Sequence, residues 1–158
     1  MLEKDIRKIV FLSIIGATYA ALTLLLMPLS YGPFQLRLSE ALTVLPYLFP
    51  QAVYGLFIGC FIANLFSPFG LLDIIFGSIA TLIAAYLTSK APNIYLAPLP
   101  PVVVNAFIVS VYLSNLTGIP YWLMVSYIGI SQFVVCYGIG LPLLVVLKKR
   151  LKYLFWRF

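Results

Sequence analysis

The chain contains no histidine, two cysteines and only four acidic residues among its 158. Each shortage closes off a class of chemistry. Without imidazole there is no Ser-His-Asp relay and no metal cage built on Cys and His. Cys60 and Cys136 each lie within apolar sequence and offer no disulfide framework. A G-x-x-x-x-G-K-[ST] phosphate loop is also absent, so any work driven by ATP requires other subunits. An intramembrane aspartate enzyme needs two paired acids, and Glu40 with Asp73 makes an unconvincing pair. No enzyme activity, catalytic residue, metal or cofactor is therefore expected.

Charge of either sign is scarce. Only 9% of residues are charged while 63% are hydrophobic, and the mean hydropathy is +1.09; an ordinary soluble domain carries about 25% charged residues. These values describe an integral membrane protein. Apolar runs reach the length of about 20 residues that a helix needs to cross the hydrocarbon core, and no series of alternating ten-residue strands suggests a barrel. The expected class is all-α, one transmembrane domain over residues 1–158. The net charge of +6 does not point to nucleic acid, because Lys4, Arg7 and Lys8 sit at one end and Lys148, Lys149, Arg150, Lys152 and Arg157 at the other. Such clusters flank membrane spans on the cytoplasmic side. The first apolar run continues to Met27 without an A-x-A-like cleavage site, which favours a retained span.

Breakers divide the apolar sequence into six predicted helices, at residues 9–27, 38–49, 51–66, 71–89, 99–114 and 121–147, followed by a basic tail at 148–158. The first carries small residues at Gly16, Ala17, Ala20 and Ala21, whose spacing of four lets another helix approach closely in lipid. That stripe serves either packing within the chain or docking of a separate subunit. Residues 28–35 read as a loop. The second helix is short, with Pro46 and Pro50 near its end, and Ser39 is placed to cap its start. Small residues recur at Gly55, Gly59 and Ala63 in the third helix, and at Gly77, Ala80 and Ala84 on the face of the fourth that holds Asp73. Basic clusters at both ends place both termini in the cytoplasm, which requires an even number of crossings; six satisfies this.

Four charges lie between Lys8 and Lys148, and three of them, Arg37, Glu40 and Asp73, fall close together. A charge at bilayer depth costs roughly 2.5 to 3.5 kcal/mol on insertion scales, so three of them imply an interior polar site. With six crossings all three belong to the outer half of the bundle. They sum to one net negative charge. One reading is a buried ion pair, Arg37 with Glu40 or with Asp73, that fixes helix register in a membrane scaffold. The other is a binding site for a small ligand that is cationic or rich in N–H donors, and planar if Tyr and Phe rings supply its walls. Asn64, Asn105 and Gln132 are candidate amide contacts in that site, and equally candidates for hydrogen bonds between helices.

Three runs carry a resemblance: FQLRLSEALTVLP from Phe34, GLFIGCFIANL from Gly55 and LLDIIFGSIATLIAAYL from Leu71. Together they resemble the QueT-type family over nearly the whole chain, through R-x-S-E-A-L-T at Arg37 and L-L-D-I-x-F-G-S at Leu71. The resemblance implies a six-helix substrate-binding subunit (S component) of an energy-coupling factor transporter of the ABC type. Its substrate would be a queuosine precursor, a deazaguanine bearing an aminomethyl group, captured from outside the cell membrane. Its partners would be a membrane-embedded coupling subunit (T component) and two cytoplasmic ATPases. It further implies that small residues around Ala17 and Ala21 contact the coupling subunit, that the loop at 28–35 helps to cover the site, and that Glu40 and Asp73 divide the N–H edge and the ammonium of the ligand, with Arg37 orienting one acid or reading a carbonyl. An S component for another small cationic or planar metabolite fits the same residues.

Overall fold

The computed structural model describes residues 2–32 and 34–155; Arg157 of the basic tail lies outside them. Among the described residues the chain is helical and has no strand. Its long helices are α1 (Leu2–Leu25), α3 (Ala52–Asn64), α4 (Ser78–Ser89), α5 (Leu99–Thr117), α6 (Tyr121–Val135) and α7 (Leu141–Phe155). A single turn, α2 (Met27–Ser30), follows α1, and a 3-10 helix, Leu38–Tyr47, precedes α3. Two π turns, Asp73–Gly77 and Cys136–Gly140, lead into α4 and join α6 to α7.

Three helical stretches are long and apolar enough to cross a membrane: Asp5–Leu25, Leu99–Thr117 and Tyr121–Leu151. Ala52–Asn64 and Asp73–Ser89 are apolar but shorter. The 3-10 helix rises about 2.0 Å per residue, so its 10 residues reach roughly 20 Å against a hydrocarbon core of about 30 Å. Ile58, Phe61, Ile75, Phe107, Ile130 and Val134 are all exposed, as befits side chains that meet lipid instead of water.

Several boundaries differ from the sequence-based expectation. The segment at 28–35 begins as helix and not as loop, because Pro28 falls in the first turn of α2, where a missing N–H costs nothing. The second helix is 3-10 throughout and not α. Its N-terminal flank is Arg37, and Ser39 does not cap it; the Ser39 hydroxyl instead shares a 2.7 Å hydrogen bond with Thr23 of α1. The last helix is interrupted by a π turn at Cys136–Gly140, one residue before Pro142, and then continues to Phe155, so the basic residues from Lys148 extend α7 instead of forming a separate tail.

The 3-10 helix is the centre of the bundle. It touches α1, α3, α4, α6, α7 and the second π turn, and Ser39, Glu40, Ala41, Thr43, Val44, Leu45 and Pro46 are buried in it. With about three residues per turn, Glu40, Thr43 and Pro46 fall in one row, and Arg37 precedes it with extended backbone. Three apolar clusters of described residues lie around the bundle's polar interior. One joins Ile15 and Tyr19 of α1 to Leu56 and Cys60 of α3, a second joins Tyr112 and Leu113 of α5 to Met124 and Ile128 of α6, and a third joins Val44 of the 3-10 helix to Ala97 and to Leu144 of α7.

Helices α1 and α3 meet backbone to backbone. A Cβ at Gly59 would lie 2.5 Å from the Gly16 carbonyl oxygen, and one at Gly55 would lie 2.6 Å from that of Leu12. The small-residue stripe of α1 is thereby divided: Gly16 and Ala20 are buried, whereas Ala17 and Ala21 face outward. Gly59→Leu is expected to lower stability by about 1 to 3 kcal/mol, the usual cost of overpacking, and Ala17→Leu to change it by less than about 0.5 kcal/mol. Thermal unfolding of the two variants in one detergent checks the contrast.

Candidate ligand-binding site

Arg37 and Asp73, 36 residues apart, meet where the entry to the 3-10 helix faces the first π turn. Arg37 donates from Nη2 to Asp73 Oδ2 at 2.8 Å, and both side chains are buried. The guanidinium also donates from Nε to the Ser30 carbonyl at 3.4 Å and lies 4.8 Å from the centre of the Tyr31 ring. Asp73 receives the Tyr112 hydroxyl on Oδ1. Its backbone carbonyl accepts from Asn64 Nδ2 at 2.9 Å. Gly77 makes this crossing possible, since a Cβ there would lie 2.9 Å from both Asn64 Nδ2 and Asp73 Oδ1. The pair is thus balanced in charge and enclosed.

Glu40 is different. It is 1% exposed and forms no ion pair among the described residues. The Tyr19 hydroxyl donates to Oε1, and Asn105 Nδ2 donates to Oε2 at 3.2 Å. Thr43 ties down the Glu40 backbone by donating to its carbonyl at 2.6 Å. Two neutral donors on a carboxylate with about four lone-pair sites leave acceptor capacity over.

Arg37, Glu40, Asn105 and Gln132 line one small cavity. Val109 and Ile128 give it an apolar wall, and Gln35 closes it from the loop before the 3-10 helix. Asn64 and Asp73 stand behind this lining, holding Arg37 and each other. The cavity measures about 10 Å³, room for roughly one water molecule. A planar heterocycle enters only when lining side chains move. π turns recur at functional sites because they redirect side chains within a continuing helix, and here one holds Asp73 and Gly77 while the other adjoins Gln132 on α6.

The sequence model of the QueT transporter family matches residues 9–149. The chain belongs to the QueT transporter family. It is also similar to the queuosine precursor transporter QueT of Lactococcus lactis subsp. cremoris (strain MG1363), with 38% identity over 77 residues that cover 48% of this chain and 45% of that protein. No solved structure matches it. Membership of a transporter family agrees with the apolar helices in making this a membrane protein, and it sets aside an enzyme built on Glu40 and Asp73.

In this QueT-family chain, Tyr19, Tyr112 and Gln35 are among the residues of the site that escaped sequence reasoning. Tyr19 had a signal, since Gly16, Tyr19, Ala20 and Thr23 share the face of α1 that turns inward. Tyr112 had none, because one tyrosine in an apolar helix is ordinary membrane composition. Gln35 was assigned to a covering loop and not weighed as a contact.

Proposed function

We propose that this chain captures a queuosine precursor, an aminomethyl-bearing deazaguanine, in the cavity beside Glu40. Its role is that of the substrate-binding S component of an energy-coupling factor transporter. The observation that carries this reading is the buried Glu40 carboxylate, which has hydrogen-bond donors but no cation among the described residues. An aminomethyl ammonium neutralises it. Asn105 and Gln132 supply amide contacts to the base, and Arg37, held by Asp73 and the Ser30 carbonyl, fixes the edge of the cavity. Asp73 and Asn64 act one layer back, fixing Arg37 and the first π turn. The pairing of Arg37 with Asp73 supports a register-fixing role for those two residues alongside the site, as in the scaffold reading.

Basic clusters at both ends favour cytoplasmic termini and six crossings, with the site in the outer half. With no phosphate loop in the chain, energy comes from two cytoplasmic ATPases through a coupling T component. The outward face of α1 around Ala17 and Ala21 is the docking surface for that subunit, while Gly16 sets the helix against α3 and Ala20 is buried within the bundle.

Calorimetry on the protein purified in detergent tests the substrate. The aminomethyl deazaguanine is expected to bind at least about 100-fold more tightly than guanine or thiamine. Preference for thiamine or another cationic metabolite would keep the site and change its ligand; no binding by a folded protein would remove the assignment. In the assembled transporter, Ala17→Leu is expected to leave that binding intact and to abolish uptake.

A further inference from the structure

Gln35 combines two local costs. Its φ of 50° lies in the left-handed region, the sole positive value at a non-glycine residue among those described, a conformation that side chains with a Cβ adopt reluctantly. It is also 3% exposed, and its Nε2 has no hydrogen-bond partner, although it lines the cavity with Glu40, Asn105 and Gln132. A buried amide donor left unmade is among the expensive defects of a fold.

The surrounding strap holds Gln35 in that state. Its N–H donates to the Gly32 carbonyl at 2.9 Å, and the Arg37 N–H donates to its carbonyl at 2.9 Å. One residue earlier, the Phe34 carbonyl accepts from Ser131 Oγ at 2.6 Å, and the Phe34 ring sits 4.9 Å from that of Tyr127. The backbone is pinned on both sides, so the side chain is aimed into the cavity by construction. Glycine at this position would relieve the backbone, and leucine would remove the orphan donor. A ligand acceptor within reach of Nε2 satisfies the amide, and the pinned, strained backbone is what keeps the amide aimed at it.

We propose that Gln35 is a specificity-determining contact of the binding site, its amide donating to the ring carbonyl of the bound base. This rests on the reading of the site given above and extends it to the loop. Glu40 then reads the cationic end of the ligand, and Gln35 rejects bases of the same shape that lack the carbonyl. Strained backbone at binding sites commonly serves such positioning.

The test compares calorimetric binding of the aminomethyl deazaguanine with that of its 6-deoxo analogue, using the full-length chain in detergent. The wild type is expected to favour the carbonyl ligand by at least about 10-fold, and Gln35→Leu to shrink that preference by about 10-fold by weakening the carbonyl ligand alone. Gln35→Gly is expected to lose the same preference while melting, without ligand, at or above the wild-type temperature; it carries the test if Gln35→Leu does not fold. An unchanged preference in a folded variant would overturn the role of Gln35 and leave the site assignment intact. Equal weakening of both ligands, or a Gln35→Gly variant that melts lower and binds normally, would make Gln35 a structural link and overturn it too. Failure of the wild type to bind either ligand would remove the substrate reading and this inference with it.

Discussion

Glu40→Gln is expected to weaken binding of the aminomethyl deazaguanine by roughly 30-fold to several thousand-fold, the range that follows from losing one partner of a buried charge pair at about 2 to 5 kcal/mol. The same substitution should leave the unliganded protein at least as stable as before. Glu40 is buried without an ion-pair partner; in the variant the amide oxygen still accepts from Asn105 and the Tyr19 hydroxyl turns to accept from the amide nitrogen, while the cost of burying a lone charge is removed. Calorimetry and thermal unfolding on one preparation check both halves. A variant that melts normally and binds normally would show that Glu40 is not the ligand's counter-ion. A variant that melts many degrees lower would assign it to the scaffold instead.

Arg37→Met should do the opposite, acting first on stability. It strands the Asp73 carboxylate, which is 0% exposed and keeps only Tyr112 as a side-chain partner. Removing one member of a buried pair typically costs about 3 to 5 kcal/mol, because the desolvated charge left behind is uncompensated. Asp73→Leu should cost a comparable amount by stranding Arg37. The double variant should recover much of that loss, since neither charge remains. Unfolding of both single variants and the double variant measures the coupling. Strictly additive losses would mean that the 2.8 Å contact between Arg37 and Asp73 contributes little, and that each residue matters through other neighbours.

These two predictions separate residues that look alike in sequence. Glu40 and Asp73 are both acids in apolar surroundings, and their neighbours along the chain do not reveal which of them has a cation. Arg37 lies three positions from Glu40, a spacing that suggests a pair on one helix face. It pairs instead with Asp73, because the 3-10 row carries Glu40 inward to Tyr19 and Asn105 while Arg37, at the extended entry residue, turns toward the π turn. Local spacing lost to tertiary placement.

The fold was legible to a corresponding degree. Scarcity of charge and long apolar runs dictate helices in a membrane, since backbone polar groups in lipid must be satisfied within the segment. Break points at Pro28, Ser67, Pro98 and Pro120 bracket the observed helices to within a few residues. The type of helix was not legible. A ten-residue 3-10 helix has no composition of its own, and Leu38–Tyr47 is held in that form by contacts on nearly every side. The π turns had no local signal of their own either, although Pro142, which has no N–H to donate to the preceding turn, follows the second.

Sequence alone thus determined that this is a helical membrane protein of the QueT transporter family with three charges out of place in hydrocarbon. Those properties are sums over composition or short runs of residues, and they survive any arrangement of the helices. Tertiary structure alone decided which carboxylate is paired, which face of α1 remains open and which buried amide nitrogen lacks a partner. Each of these depends on a contact between segments, such as the one that brings Arg37 to Asp73 across 36 positions, and the energy of a buried charge or amide is set by the atoms that surround it.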